Sequence, residues 1–595
     1  MAAPVLTENL KQAPDAWPLL RVTTWVLMLL SWLVQAASYP HSTMPDSLSY
    51  VDIGLACSKG HWQAIVNAYW SPGYSAILAV WFRILRPSPY NEVLSVHLLN
   101  CLLLVGGLVC LEYFLFSLCR YVGNRSAKDE LGAPPCWMIK SIGFVVFFWT
   151  SLYMTPPSLD TPDALVMAIV LLSAAIILEI ATGNSGWFRF VLLGVVLGFG
   201  YLVKAVMFPL ALVFIAFSVF AVGNWRRAAP KLAISFLTFL LVSGPFIFAL
   251  SKSKGRITFG DTGAINYAEY VNGISHFVHW QGGPEGAGTP KHPTRKVFEN
   301  PDVYEYAEPI GGCYPPWTDP SYWYDGVRPH FQLKNQLKAM RLGLDSFFET
   351  LELLGSLATG FLVLLLLRRP KSDFFRALIS EIFLWGPAVV AFVMYSMIHV
   401  ELRFLPGFII LVSTALFSAI RVTKSATNDA IFRCVTWAIV ILLGIQIAWS
   451  VGHSIFRSAS MRPVPEREVV EELKSKGVGE GDRVAFIGFA SMNHYWAHLG
   501  RLSIVAEVPG DQVPDFLAAR PEVKTKIFNI FATAGATAVL AQDLPQEELA
   551  SGWKNISHTN YYVLYLKSSS VGLAAESRDK APPSPSRLGP FWRQP

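Results

Sequence analysis

Along this chain apolar residues collect into long runs, separated by polar stretches of very unequal length. A helix needs ~20 apolar residues to cross the hydrocarbon of a bilayer, and about eleven runs meet that need. They predict membrane helices at about 20–38, 92–118, 137–153, 163–181, 187–203, 205–222, 231–250, 347–367, 376–398, 404–421 and 430–450. Tyr74–Leu85 is apolar but short, and Arg83 and Arg86 interrupt its end, so it is expected to lie at the membrane surface.

The pattern changes beyond 451. Strand-like runs at 482–488, 502–508, 536–541 and 561–567 alternate with helical stretches near 493–499 and 513–532. That alternation predicts a small α/β domain over 451–567. Its first turn, GFASMN, lacks the GxGxxG pattern of a nucleotide site. Residues 568–595 are rich in Pro, Ser and Arg and are expected to be disordered. The expected fold class is thus a polytopic α-helical membrane protein with a C-terminal small α/β domain.

Lysine and arginine set the orientation. They cluster at Arg120–Lys128, Arg189, Arg226–Lys231, Arg368–Arg376 and Arg421–Arg433. With an odd number of spans these loops share one side, expected to be cytoplasmic, with the N-terminal residues 1–19. The transmembrane domain, 20–450, then sends loops 39–91, 154–162 and 251–346 to the outer side, where the C-terminal domain also lies. Most of the polar mass sits on that face, so the chemistry is expected there.

Composition agrees. Hydrophobic residues make up 53% and charged residues 15%, with a mean hydropathy of +0.40. The net charge of +6 does not indicate nucleic acid, because the basic residues lie in short clusters between apolar runs. The cysteines form no CxxC pair, and only Cys57 and Cys313 fall in outer segments, where a disulfide and two unpaired thiols are both open readings. The first apolar run is long enough to span and follows a polar, mixed-charge start, so it reads as a retained helix.

Three outer segments carry candidate chemistry. In the first loop Asp46 stands a few residues beyond the first helix, where an unused carboxylate is costly to keep. It is placed to take a proton from a hydroxyl. Asp52 follows six residues later, too far round a helix for a close carboxylate pair, and Tyr50 and Trp70 lie in the same loop. Asp160 and Asp163 precede the fourth predicted helix; a helix cap accounts for either one alone. His399, Glu401 and Arg403 form the third segment, HVELRF. Arg403 has the planar fork that suits a phosphate, and Lys204 is a second cation at the same boundary. Snorkelling is the alternative for both. Carboxylates and cations at one membrane face suit an anionic lipid substrate and a hydroxyl acceptor.

The long loop adds Trp317, Asp319, Tyr322, Trp323 and Tyr324, which read either as a sugar surface or as an interfacial aromatic belt. The outer histidines include the close pair His276 and His279, but no second pair completes a zinc site. No cofactor is indicated by a motif. A divalent cation held by Asp46 and Asp163 remains open.

PDSLSYVDIG, GHW and WSPGYSAIL after the first helix, TPDAL before the fourth, GFGYLVKA, and HVELRF before a late helix together resemble the GT-C glycosyltransferases. The nearest groups are glycosyltransferase family 39 and its bacterial relatives, including lipid A aminoarabinose transferases. The resemblance covers about residues 20–422. It implies a bacterial inner-membrane enzyme with a periplasmic active site, a polyprenyl-phosphate sugar donor, a lipid, glycan or protein acceptor, and inversion at the sugar. By position, Asp46 matches the catalytic carboxylate of the first loop, Asp163 ahead of Asp160 the carboxylate of the second, and Lys204 and Arg403 the cations near the lipid phosphate. Asp46 is followed by Ser47, where many members carry a second acid, and the C-terminal domain is unlike the additions of eukaryotic protein mannosyltransferases.

Two other classes stay open. A flippase of lipid-linked sugars would place charges midway along several helices, and Glu112 is the main example. A scaffold for envelope assembly would use the C-terminal domain as a binding module.

Overall fold

The computed structural model describes residues 17–126, 133–274, 279–366, 372–422, 425–459 and 464–566. The expectations on most of the N-terminal segment, on the 568–595 tail, on His276 and on Lys128, Arg368, Arg369, Lys371 and Lys424 lie outside the described residues.

The chain begins with α1 (Trp17–Ser38), α2 (Pro45–Ser58), α3 (Pro72–Leu85), α4 (Pro89–Ser126), α5 (Cys136–Tyr153) and α6 (Asp163–Ala181). It continues through α7 (Trp187–Val203), α8 (Met207–Val222), α9 (Trp225–Lys254) and α10 (Thr262–Tyr270). The long loop holds β1 (Arg295–Phe298), β2 (Val303–Glu305), α11 (Pro315–Thr318) and α12 (Pro320–Trp323). Then come α13 (Leu333–Leu353), α14 (Gly355–Leu366), α15 (Ser372–Ser380), α16 (Ile382–Ser396), α17 (Pro406–Ser418) and α18 (Ala426–Ala459). The C-terminal part is α19 (Pro465–Ser475), β3 (Arg483–Gly488), α20 (Tyr495–Gly500), β4 (Ser503–Pro509), α21 (Val513–Ala518), α22 (Pro521–Thr533), β5 (Ala538–Gln542), β6 (Lys554–Asn555) and β7 (Tyr561–Tyr565).

This is a multi-pass membrane protein. Among the described residues α4, α5, α6, α9 and α18 are each long and apolar enough to cross a bilayer. Two bent pairs, α13 with α14 at 78° and the Phe374–Ser380 part of α15 with α16 at 79°, bring the count to seven if each is one span. The shorter apolar helices α7, α8 and α17 fall on runs predicted to span, and α3 falls on the predicted surface helix. The bundle turns apolar side chains such as Leu241, Phe248 and Trp449 outward, as a lipid-solvated helix does.

Local chemistry sets the ends of these helices. Pro45 and Pro72 occupy first-turn positions of α2 and α3, where the missing N–H costs nothing. The Asn224 side chain caps α9 by accepting from the N–H groups of Arg226 and Arg227. Gly194 and Gly198 let α7 lie directly on α9: a Cβ at Gly194 would sit 2.3 Å from the Ser235 carbonyl oxygen. Glu112, the charge weighed for a transporter, is held by the Arg21 guanidinium and the Trp25 indole.

The polar mass is built on a seven-stranded sheet of order β1-β2-β4-β3-β5-β7-β6. β3 runs parallel to both β4 and β5; the other pairs are antiparallel. The four strands read from the C-terminal sequence are present as β3, β4, β5 and β7; the short β6 joins them, and the long loop adds β1 and β2. β2 extends the sheet beside β4, with Tyr304 opposite Glu507. Loop aromatics Trp280, Tyr304, Tyr306, Tyr314, Trp323 and Tyr324 form one core with Phe486, Trp496, Ile504 and Leu540. Cys57 and Cys313 are buried free thiols.

Candidate active site

A cavity of about 430 Å³ opens where the bundle meets the sheet-bearing part. Four chain segments supply the charged groups at its centre. α2 brings Asp46 in its first turn, α6 brings Asp163 in its first turn, the α7–α8 link brings Lys204, and the turn before α17 brings Glu401 and Arg403.

Arg403 is the hub. Its Nη2 donates to Asp46 Oδ2 at 2.7 Å, and its Nε lies 2.5 Å from Glu401 Oε2 and 3.9 Å from Asp163 Oδ2. Lys204 donates to Asp163 Oδ1, while the Thr161 hydroxyl donates to Asp163 Oδ2 at 2.7 Å. Both cations also approach the Phe404 ring, Lys204 at 3.9 Å and Arg403 at 5.3 Å from its centroid. Burial pushes the Glu401 carboxyl up, but His399, Arg403 and Lys204 outweigh it and hold the group down at about 2. His399 lies 3.5 Å from Glu401 and stacks flat on Tyr270.

The opposite wall is aromatic. Tyr50, Tyr69, Trp70 and Trp317 pack edge to face or tilted, with ring centroids 4.6–5.7 Å apart. Trp70 is fixed by an indole hydrogen bond of 2.9 Å to the Trp317 carbonyl. Glu269 of α10 also lines the cavity. Burial and the nearby Asp46 charge push its carboxyl up to about 7.

The structure therefore gathers Asp46, Tyr50, Trp70, Asp163, Lys204, His399, Glu401 and Arg403 at one cavity. It does not bring five other candidates there. Asp52 is buried with its Oδ2 accepting the Cys313 N–H and its Oδ1 2.7 Å from His498 Nδ1. Asp160 is fully buried beside His97 at 3.4 Å and Asn100 at 3.2 Å, and burial pushes its carboxyl up. Asp319 accepts from the Ser321 hydroxyl. Tyr322 stacks on His292, and Trp323 is a core residue whose indole donates to the Pro315 carbonyl. In each case a protein partner takes the polar group, or the core takes the ring. Sequence reasoning missed Glu269, Asn266, Tyr395, Phe404, Ser491 and Met492. Glu269 sits in INYAEY, where an acid between two aromatics was the available signal.

Among the described residues, one His/Cys/carboxylate group converges closely enough for a metal: Asp52, Cys313 and His498. Both His498 nitrogens already meet carboxylates, Asp52 on one side and Glu92 on the other, each at 2.7 Å. That fits an imidazolium rather than a metal ligand. In the cavity the Arg403 guanidinium, not an open space, lies between Asp46 and Asp163.

ArnT from Cupriavidus metallidurans, solved bound to undecaprenyl phosphate, superposes with a TM-score of 0.51 at 12% identity, covering 93% of this chain and 98% of that one. The same protein in the apo state gives a TM-score of 0.40 at 13% identity, covering 92% and 98%. The Archaeoglobus fulgidus oligosaccharyltransferase tethered with an acceptor peptide gives 0.45 at 12%, covering 89% and 69%. No protein-family model and no curated protein matches the sequence. The first superposition gives this chain the fold of ArnT.

Proposed function

We propose that the protein is a membrane glycosyltransferase. It takes a sugar from a polyprenyl-phosphate donor and passes it, with inversion, to an acceptor hydroxyl at the extracytoplasmic face. The observation that carries this reading is the ion-pair hub: Arg403 bridges Asp46, Glu401 and Asp163 in a cavity that Lys204 also enters. The fold shared with ArnT, a protein solved with undecaprenyl phosphate in place, supports it.

The chemistry follows from the charges. Arg403 and Lys204 bind the donor phosphate, an anion that competes with their carboxylate partners. Drawing Arg403 towards phosphate loosens its hold on Asp46, which becomes free to act as a base. The acceptor oxygen attacks the anomeric carbon; its bond to carbon forms as the carbon–oxygen bond to phosphate breaks. Asp46 takes the hydroxyl proton, and polyprenyl phosphate leaves with the electron pair. The two cations stabilise that leaving charge, so no acid is needed on that side. Asp163, fixed by Lys204 and Thr161, keeps the lysine aimed into the cavity. Tyr50, Tyr69, Trp70 and Trp317 offer ring faces to the sugar.

The test uses membranes carrying wild type, Asp46→Asn or Arg403→Ala, with a panel of radiolabelled polyprenyl-phosphate sugars and polyprenyl phosphate release as readout. Wild type should turn over at least one donor. Asp46→Asn should lose about 10²–10⁴-fold, the range for a positioned general base. Full turnover by folded Asp46→Asn would remove this mechanism, and no release by wild type from any donor would remove the reading.

A further inference from the structure

A second, smaller cavity of about 130 Å³ lies in the sheet-bearing part, between the carboxyl ends of β3 and β4. The topology makes it. The chain leaves β3 towards α20, on the face where Val484 and Phe486 pack with Trp496 and Ala497. It leaves β4 towards α21 and α22, on the face where Ala485 and Ile487 pack with Phe516, Ile527 and Phe531. Parallel neighbours whose connections part to opposite faces open a crevice at their carboxyl ends, and open α/β sheets bind ligands there.

The crevice is furnished. Glu507 lies on its floor, 1% exposed, accepting from the Tyr314 hydroxyl at 2.8 Å and in contact with His279. Gly488–Ser491 form one wall, and Pro509, Gly510 and Asp511 the other. The exposed Phe489 ring lies at the mouth. Ser491 lines this crevice and the large cavity alike, so one short turn separates them.

We infer that this crevice is the acceptor subsite, and that the acceptor is a carbohydrate. The inference rests on the transferase reading above. A buried carboxylate, an imidazole, a phenol and a hydroxyl around an aromatic edge match a polyhydroxylated ring, whose hydroxyls need acceptors and whose apolar face needs a ring. The acceptor sugar seats one part against Glu507 and Asp511 and reaches past Ser491 to present a hydroxyl to Asp46. An acceptor recognised only through its lipid tail has no use for this polar floor.

The experiment measures binding of methyl glycosides (glucoside, galactoside and mannoside) to the full-length protein in detergent by saturation-transfer NMR, for wild type, Phe489→Ala and Asp511→Ala. Both positions are surface side chains, and thermal melting checks the fold. Wild type should bind at least one glycoside, and each substitution should weaken that binding about tenfold, the loss of one good contact. Where turnover is measurable, KM for the glycoside should rise by the same factor while KM for the donor stays put. Binding unaffected by both substitutions overturns the inference, and so does a wild type that binds no glycoside. Failure of the transferase reading would appear separately, as no release of polyprenyl phosphate.

Discussion

His498 and Asp52 stand 446 residues apart in the chain and 2.7 Å apart in the structure. The second ring nitrogen of His498 meets Glu92 at 2.7 Å, and Arg501 pairs with the same glutamate. Two carboxylates and two cations thus balance in a buried cluster. It joins α20 of the sheet-bearing part to α2, the helix that carries Asp46, and to α4.

Burial pushes the His498 imidazole down, but Asp52 and Glu92 outweigh it and lift the group to about 9. An unfolded histidine titrates near ~6.5. A folded value above the unfolded one stabilises the protein fully below pH ~6.5, loses that contribution between there and pH ~9, and gives none above, a swing of about 3 kcal/mol. Thermal melting of the detergent-purified protein should therefore show a falling Tm over that window. His498→Gln should melt lower at pH 6.5 and fall less between pH 6.5 and 9. Equal slopes for the two proteins would show that the imidazolium does not link these elements.

Lys204 and Asp163 form a mostly buried pair. Lys204→Met leaves Asp163 short of its cation, which costs about 3 kcal/mol when a buried charge loses its partner. Adding Asp163→Asn should recover part of that loss. A double-mutant cycle read by melting checks it, and strict additivity would mean that the pair is not energetically coupled.

Glu269 is lifted to about 7 by burial and by Asp46. Here the folded value lies above the unfolded ~4.3, so ionising the group opposes folding as pH rises from there to about 7. Glu269→Gln should match wild type at pH 4 and melt higher at pH 8. Turnover should also show an inflection near pH 7 that this variant lacks; a wild-type profile flat across pH 6–8 would count against it.

The approach of α7 to α9 depends on Gly194. A valine there forces its branched carbons against the Ser235 backbone and should cost about 1–3 kcal/mol, as overpacking does. Gly194→Val should lower the melting temperature, whereas a change at Gly106, whose Cβ would meet nothing, should not.

Much of this was legible in the sequence. Runs of apolar residues mark the bundle because lipid asks only for length and hydropathy. The hub was legible because Asp46, Asp163, Lys204, Glu401 and Arg403 each stand where an apolar run begins or ends, and charge at such a boundary is conspicuous. Asp52 stands six residues from Asp46 and carries the same chemistry. Only its distant partner, His498, separates the two roles, and nothing local encodes that meeting. The aromatics of the long loop failed to resolve for the same reason. Trp323 and Tyr324 look like surface rings until β2 is paired with β4, and pairing between segments far apart in sequence leaves no local periodicity.

That pairing bears on how the protein is made. β1 and β2 emerge from the ribosome long before β4, with α13 to α18 still to be inserted between them. Until the last strands arrive, the edge of β2 has no partner strand, and Tyr304, Tyr306 and Trp323 lack the part of their core that comes from Phe486, Trp496 and Ile504. Biogenesis thus holds open an unfinished sheet across the insertion of half the bundle. A chain stopped short of β4 exposes a sticky aromatic edge, a ready mark for quality-control proteases.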